Sequence, residues 1–191
     1  MILGFSGKMM SGKATTLDYI AKMLINDYAI CNFADALKIA VARTFVPADA
    51  IQTPHSLSWI NDNKDYVIPA LGITVRQTLQ MFGTDIMRAI WPDVWINAWK
   101  HRLPPLSGPK KVRHILVGDV RFENEVQAIH DMGGFVIRLT RNVCNDQHPS
   151  EIILDSSTLF DAVIDNANMT IKQTNDKAWE LVFKGGWIDA K

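Results

Sequence analysis

The chain has 191 residues, of which 48% are hydrophobic and 21% charged, as expected for one globular domain with a substantial core. The 20 lysine and arginine residues balance 20 aspartate and glutamate residues, which argues against a dedicated nucleic-acid-binding surface. The two cysteines lack metal-ligand spacing and no apolar stretch reaches transmembrane length, so a cytoplasmic protein is expected rather than a secreted or membrane-inserted one.

The first predicted elements are a strand, a glycine-rich loop and a helix. Residues 1–5 form a short apolar run, and residues 15–25 carry apolar side chains at helical spacing. The loop between them, Gly7-Lys8-Met9-Met10-Ser11-Gly12-Lys13, fits the P-loop pattern Gly-x-x-x-x-Gly-Lys. In such loops the backbone N–H groups, the helix N-terminus and the lysine surround a phosphate. A nucleotide phosphate site is therefore predicted at Gly7, Lys8, Ser11, Gly12, Lys13, Ala14 and Thr15.

One position departs from the P-loop pattern. The residue after the lysine is normally Ser or Thr, whose hydroxyl holds Mg²⁺, but here it is Ala14. A methyl group cannot ligate a metal ion. Either Thr15 supplies the hydroxyl or a water molecule takes its place.

The rest of the chain alternates predicted strands with predicted helices. Strands are expected at 28–33, 112–119, 135–140 and 162–165, and helices at 35–45, 74–90, 92–102, 123–132 and 175–183. The polar, proline-broken segment 47–72 is expected to be irregular and mobile, and 103–111 and 141–155 to be loops. The alternation predicts a three-layer α/β fold with a parallel sheet between helices and a site at the carboxyl ends of the strands.

Two charged residues follow the aliphatic strand at 112–119. Asp119 closes that strand as a Walker B aspartate does, and the alternative is that it caps the next helix. Arg121 has a guanidinium that can clamp an acceptor phosphate, unless it forms an ordinary surface ion pair.

The helices predicted at 35–45 and 74–90 carry further candidates. Asp35 either orients the acceptor or its metal ion or simply caps its helix, and Lys38 lies on the same face unless it is a solvated lysine. Arg76 and Gln77 open the second helix and point in different directions. Gly83 interrupts that helix, which suggests close approach by another backbone or by a ligand.

Aromatic and histidine side chains give weaker signals. Trp91, Trp95 and Trp99 recur every four residues, a spacing that favours core or interface packing over base stacking. His148 is either a phosphate contact in a lid or a loop residue without such a role.

Five blocks in this order resemble the phage-type deoxynucleoside monophosphate kinases, a branch of the P-loop nucleoside-monophosphate kinase superfamily. They are the P-loop, Phe33-Ala34-Asp35-Ala36-Leu37-Lys38, Arg76-Gln77-x-x-Gln80-x-x-Gly83-Thr84-Asp85, Asp119-Val120-Arg121-Phe122-x-Asn124-Glu125 and His148-Pro149-Ser150-Glu151. The resemblance implies ATP and Mg²⁺ as cofactors, a dNMP acceptor, an acceptor-binding region at 47–102 and a lid at 141–155.

Together with the strand-end arguments, the resemblance assigns roles to individual residues. The expected catalytic residues are Lys13, Asp35, Arg121 and Arg141, and the expected metal ligands are Thr15 and Asp119. The expected acceptor contacts are Asp35, Lys38, Arg76, Gln77, Gln80, Asp85, Asp119, Arg121, His148 and Glu151.

The expected function is thus a kinase that makes dNDP from dNMP and ATP. A dephospho-coenzyme A or phosphomevalonate kinase is the alternative enzyme, since such enzymes share the first two blocks in looser form. A GTPase-like switch or nucleotide sensor is a third class, but the guanine-reading Asn-Lys-x-Asp is absent because the aspartate of Asn63-Lys64-Asp65 comes one residue early. The expected partners are the nucleotide substrates, without nucleic acid or membrane, and the tryptophan stripe offers a homodimer face.

Overall fold

The computed structural model describes residues 1–24, 27–51, 56–105, 112–141 and 148–187. They divide into two compact units, one formed by Met1–Asn32 with Arg102–Lys191 and one by Phe33–His101. The strands are β1 (Ile2–Ser6), β2 (Tyr28–Ile30), β3 (Val67–Ile68), β4 (Ile73–Thr74), β5 (His114–Val120), β6 (Phe135–Leu139) and β7 (Ala162–Ile164). The helices are α1 (Lys13–Met23), α2 (Asp35–Phe45), α3 (Ser56–Asp62), α4 (Val75–Gln80), α5 (Val94–Arg102), α6 (Glu123–His130), α7 (Pro149–Ile152) and α8 (Ile171–Lys184), and α4 continues as a π-helix, Met81–Arg88.

The first unit is built on a five-stranded sheet in the order β2-β5-β1-β6-β7. All four strand pairs are parallel, and the buried strand β1 lies at the centre between β5 and β6. Because central parallel strands are covered on both faces, they are rich in aliphatic residues, as β5 and β6 are here. The predicted parallel α/β sheet is confirmed.

Helices cover both faces of this sheet. Leu3 of β1 belongs to a core cluster with Leu17 of α1 and Ala178 of α8. The next residue, Gly4, faces α6, because a Cβ there would lie 2.7 Å from Ile129 Cδ1. Successive strand residues point to opposite faces, so α1 and α8 form one outer layer and α6 the other. The predicted three layers are confirmed.

Two boundaries of the first unit differ from the predicted ones by three residues or more. Strand β2 ends at Ile30 rather than at residue 33, and α8 begins at Ile171 rather than at residue 175. The early start of α8 follows from a capping box in which Thr170 and Gln173 satisfy each other's backbone N–H groups. The pattern Thr-x-x-Gln at residues 170–173 therefore predicts the observed start of α8.

The second unit corrects the prediction that residues 47–72 are irregular. Helix α3 and the antiparallel pair β3–β4 lie in or next to this segment, while 52–55 are outside the described residues. Ile60 and Ile68 are fully buried in a cluster with Leu37, Val75 and Trp95. The burial of these few apolar side chains orders a segment whose local composition is polar.

The helix predicted at 74–90 is α4 followed by the π-helix. A regular α-helix would place Val75, Leu79, Phe82 and Ile86 on one apolar face, but Ile86 is 43% exposed. Met87 joins the core cluster instead, because a π-turn widens the helical repeat and moves the buried position by one residue.

Close approach at Gly83 was predicted, but the partner differs. A Cβ at Gly83 would lie 2.4 Å from Leu37 Cδ2, so the neighbour is a side chain rather than a backbone or a ligand. The Gly83 carbonyl also accepts a 2.9 Å hydrogen bond from Trp95 Nε1.

The packing role predicted for the tryptophan stripe is confirmed for Trp95 and Trp99, which are 7% and 1% exposed. Trp91 is 48% exposed, and the homodimer face stays a prediction.

Among the described residues, no helix has the length and apolarity that crossing a bilayer requires.

Of the predicted lid at 141–155, residues 142–147 lie outside the described part of the chain. Its C-terminal half is not simply a loop, because Pro149–Ile152 form α7.

Candidate active site

The loop between β1 and α1 has the backbone conformation that its glycines permit. Gly7 has φ 150° and Gly12, the N-cap of α1, has φ 102°. A Cβ at Gly7 would lie 2.5 Å from Ser11 Oγ and 2.8 Å from the Leu139 carbonyl oxygen. Position 7 therefore needs glycine for both its conformation and its space.

The donors of this loop form a set suited to a phosphate. Ser11 is fully buried, and within the described residues its Oγ has no hydrogen-bond partner. Lys13 Nζ donates to the carbonyl oxygens of Gly7 and Lys8, the latter at 2.7 Å. Lys13 is also the first residue of α1, where the helix dipole is positive. A buried hydroxyl, an ammonium group and a helix N-terminus together fit the phosphate site predicted from the sequence.

Met10 is the one described non-glycine residue with positive φ, at 63°. Its side chain is 73% exposed, so burial does not explain the conformation. The left-handed region costs an ordinary residue about 1–2 kcal/mol. Strain of this kind concentrates at functional sites, which agrees with a loop shaped for a ligand.

The two predicted metal ligands lie at the same end of the sheet. Thr15 is exposed in the first turn of α1, next to the exposed Ala14. Asp119 lies in β5, and the pairing of Ser6 with Val120 places it level with the start of the P-loop. The capping alternative for Asp119 is wrong, because the N-cap of α6 is Phe122.

The described residues contain no group of three or more His, Cys, Asp or Glu side chains that could hold a metal ion. A hydroxyl and a single carboxylate nevertheless suit Mg²⁺, which binds few protein oxygens and keeps water and phosphate ligands.

Arg121 is tied to the P-loop through Glu151. Its Nη1 pairs with Glu151 Oε1 and donates to the Ser150 carbonyl oxygen at 3.2 Å. Glu151 Oε2 accepts a 3.0 Å hydrogen bond from the Met9 amide in the P-loop. The Glu151 side chain is 6% exposed, so the alternative of an ordinary surface ion pair does not hold for Arg121.

A second carboxylate network reaches the P-loop from Asp155, which the sequence did not single out. Asp155 pairs with Lys8 Nζ at 2.7 Å and with Arg138 Nη2 at 2.7 Å. Arg138 Nη1 also donates to Ser6 Oγ at 2.9 Å. Burial lowers the pKa of Arg138, and Asp155 opposes that shift by stabilising the charged form. The feature of the sequence that could have pointed to this network is Arg138, a charged residue within the otherwise apolar strand β6.

Arg141 and Asn166 join the P-loop to the turn after β7. The fully buried Asn166 donates from Nδ2 to the Ser11 carbonyl at 2.8 Å and accepts at Oδ1 from the Arg141 amide at 2.8 Å. The Arg141 guanidinium donates to the carbonyl oxygens of Asn166 and Met169. Its contacts thus hold a turn, and the catalytic role of Arg141 stays a prediction.

His148 is the N-cap of α7, where its Nδ1 accepts from the Ser150 amide at 3.3 Å. This contact gives His148 a local structural role. A contact with phosphate stays a prediction.

In the second unit, Asp35 and Lys38 form a pair at the start of α2. Asp35 is the first helical residue after the N-cap Ala34, and its carboxylate lies 3.6 Å from Lys38 Nζ. Their side chains are 16% and 12% exposed, so Lys38 is not the solvated lysine of the alternative.

Among the other candidates of the second unit, Arg76 and Gln77 have local partners. Arg76 pairs with Asp65 at 3.4 Å, and the Asp65 side chain is 87% exposed. Gln77 forms a capping box with Thr74, accepting from its amide at 2.9 Å. Gln80 ends α4 half-buried, and Asp85 is exposed on the π-helix. Their contacts with an acceptor stay predictions.

Sequence comparisons with known proteins show the family of this chain. The sequence model of the deoxynucleotide monophosphate kinase family matches residues 28–177. A protein of Acanthamoeba polyphaga mimivirus, described as a putative deoxynucleotide monophosphate kinase, is 32% identical over 184 residues and covers 91% of both chains. A solved shikimate kinase from Acinetobacter baumannii, in complex with shikimate, is 13% identical with a TM-score of 0.48, over 98% of this chain and 95% of that one. The chain belongs to the deoxynucleotide monophosphate kinase family.

Proposed function

We propose that this member of the deoxynucleotide monophosphate kinase family transfers the γ-phosphoryl group of ATP to the 5′-phosphate of a dNMP, giving dNDP and ADP. The observation that carries the proposal is the P-loop with its buried Ser11 hydroxyl, which has no partner among the described residues. The family match begins at residue 28, so this loop is independent support for the use of a nucleoside triphosphate.

On the donor side, the proposal places the ATP phosphates in the P-loop. Ser11 Oγ would donate to a phosphate oxygen, and Lys13 would move from the Gly7 and Lys8 carbonyls to the β- and γ-phosphates. The loop is held by Asn166, which binds the Ser11 carbonyl. Because the transition state spreads charge over the phosphoryl oxygens, a positioned ammonium lowers the barrier without taking part in bond formation.

Thr15 and Asp119 are the residues that would hold Mg²⁺, directly or through water. The bound ion would neutralise charge on the phosphate oxygens. The side chains themselves supply only the hydroxyl and carboxylate oxygens that such an ion prefers.

On the acceptor side, a dianionic 5′-phosphate needs more than one cation. The proposed contacts are the cationic side chains predicted for the acceptor, Arg121, Arg76 and Lys38. Asp35, close to Lys38, is proposed to orient the acceptor. Closure of a lid at 141–155 would exclude water as a competing acceptor.

The test is a coupled ADP-release assay with ATP, Mg²⁺ and a panel of all common dNMPs and NMPs. We expect release that depends on at least one dNMP, with the matching dNDP as product. Release with no nucleotide acceptor, but with dephospho-coenzyme A or phosphomevalonate, would replace the proposal with the alternative kinase. ATP binding without release in any arm would instead indicate a nucleotide-binding protein without this activity.

A further inference from the structure

The C-terminal part of the predicted lid, residues 148–155, carries two carboxylates that engage consecutive residues of the P-loop. Glu151 in α7 accepts from the Met9 amide at 3.0 Å, and Asp155 pairs with Lys8 Nζ at 2.7 Å. Glu151 alone also reaches Arg121, the proposed acceptor-phosphate arginine. It is thus a single side chain that joins the donor loop to a cation of the acceptor side.

The contacts of Glu151 argue against direct substrate binding. Each of its carboxylate oxygens already has a donor, Oε1 from Arg121 and Oε2 from Met9. The side chain is 6% exposed, and its negative charge would repel the phosphate groups of either substrate. A contribution to the reaction must therefore pass through the groups it holds.

Holding Arg121 in place has a physical benefit for phosphoryl transfer. A free arginine side chain has many rotamers, and ordering it during binding consumes part of the interaction energy. Charge-assisted hydrogen bonds to a buried carboxylate order it beforehand. Because Glu151 is itself fixed to the Met9 amide, the guanidinium is fixed relative to the loop proposed to hold ATP.

We propose that Glu151 is a positioning residue for phosphoryl transfer, which holds the Arg121 guanidinium in a fixed place relative to the P-loop. This inference rests on the proposed function and deepens it. The role differs from the direct acceptor contact expected from the sequence.

Glu151→Gln is the informative substitution. Both partners of Glu151 are N–H donors, whereas a glutamine side chain has one acceptor oxygen and one donor NH₂ group. The two donors meet different oxygens of Glu151, so in the same side-chain position the amide oxygen accepts from only one of them and the NH₂ group faces the other. The link between Arg121 and the P-loop is then broken. We expect kcat/KM for dNMP to fall by about 10-fold to 100-fold, the range for residues that orient metal ligands and so also act through another group.

The double-mutant cycle with Arg121→Ala separates positioning from general destabilisation. If Glu151 acts through Arg121, adding Glu151→Gln to Arg121→Ala should change kcat/KM by less than about twofold. Glu180→Gln in α8 removes an exposed ion pair with Lys184 and serves as the control, with wild-type activity expected. Circular dichroism and thermal melting confirm that each variant is folded.

An equal loss from Glu151→Gln with and without Arg121 would overturn the positioning role. If Glu151→Gln does not fold, the same cycle with Glu151→Asp, which keeps the charge but shortens the reach, decides by the same criterion. The wild-type assay reports on the proposed function separately. A wild-type protein that phosphorylates no dNMP refutes that function, whereas an active wild type with additive variants refutes only the role of Glu151.

Discussion

Replacing Gly7 with alanine should damage the P-loop far more than a glycine replacement that causes only backbone strain. The new Cβ would lie 2.5 Å from Ser11 Oγ and 2.8 Å from the Leu139 carbonyl oxygen. The Ser11 hydroxyl can rotate away from the new Cβ. The Leu139 carbonyl cannot, because it belongs to the backbone of β6. Relief therefore requires the loop to move away from the strand, and the hydroxyl proposed to meet a phosphate moves with it.

Gly133 provides the matched control. It has φ 70°, and a Cβ there would have nothing within 4 Å. Gly133→Ala thus isolates the cost of positive φ, about 1–2 kcal/mol. Gly7→Ala adds overpacking of about 1–3 kcal/mol, for a total of about 2–5 kcal/mol.

Thermal melting and ATP titration measure the two consequences. For a chain of this size each kcal/mol lowers Tm by about 2–4 °C, so Gly133→Ala should lose about 2–8 °C and Gly7→Ala about 4–20 °C. We expect the ATP affinity of Gly7→Ala to fall by about tenfold or more, equivalent to about 1.4 kcal/mol, and that of Gly133→Ala to stay unchanged. The reasoning is refuted if Gly7→Ala melts no lower than Gly133→Ala and binds ATP like the wild type.

Three further substitutions test the loop and its support. Lys13→Ala should lower kcat by about 10²-fold or more in a folded protein, because it removes one preorganised charge, and near-normal steady-state turnover would contradict the P-loop role. Thr15→Val keeps the shape but removes the hydroxyl, so activity should require more Mg²⁺, and an unchanged Mg²⁺ titration would exclude the ligand role. Asn166→Ala leaves the Ser11 carbonyl and the Arg141 amide without their partner, so the free energy of unfolding measured in urea should fall by about 2 kcal/mol or more. A fall below about 0.5 kcal/mol would show that water replaces the Asn166 side chain.

The elements that were predicted well are those whose sequence signal is local. The dense aliphatic run of β5 and the helical spacing of α2, found at Asp35–Phe45 as predicted, report directly on burial. The π-helix could not be predicted, because its register depends on Leu37 packing against Gly83 from another helix. Helix α3 was missed for a similar reason, since only one of its seven residues, Ile60, is fully buried.

The candidate site shows the same division. The P-loop was predictable because seven adjacent residues carry its pattern. Its supports were not, because they come from far along the chain: Glu151 lies 142 residues from Met9, and Asn166 lies 155 residues from Ser11. A single sequence gives the identity of such residues but not which backbone group each one meets.

These contacts from distant residues explain how a glycine-rich loop, whose backbone can adopt many conformations, is held in one of them. Glycine allows the curled backbone but raises its conformational entropy, so the loop needs contacts from outside to stay in one shape. Glu151 accepts a hydrogen bond from the Met9 amide, and Asp155 forms an ion pair with the Lys8 ammonium. Asn166 donates a hydrogen bond to the Ser11 carbonyl. Among the side chains of the loop, in the part of the chain that the structure describes, the Ser11 hydroxyl is buried without a partner. Since catalysis of phosphoryl transfer depends on donors that are in place before the charge develops, the anchors of the loop should influence its rate in addition to the groups that touch phosphate.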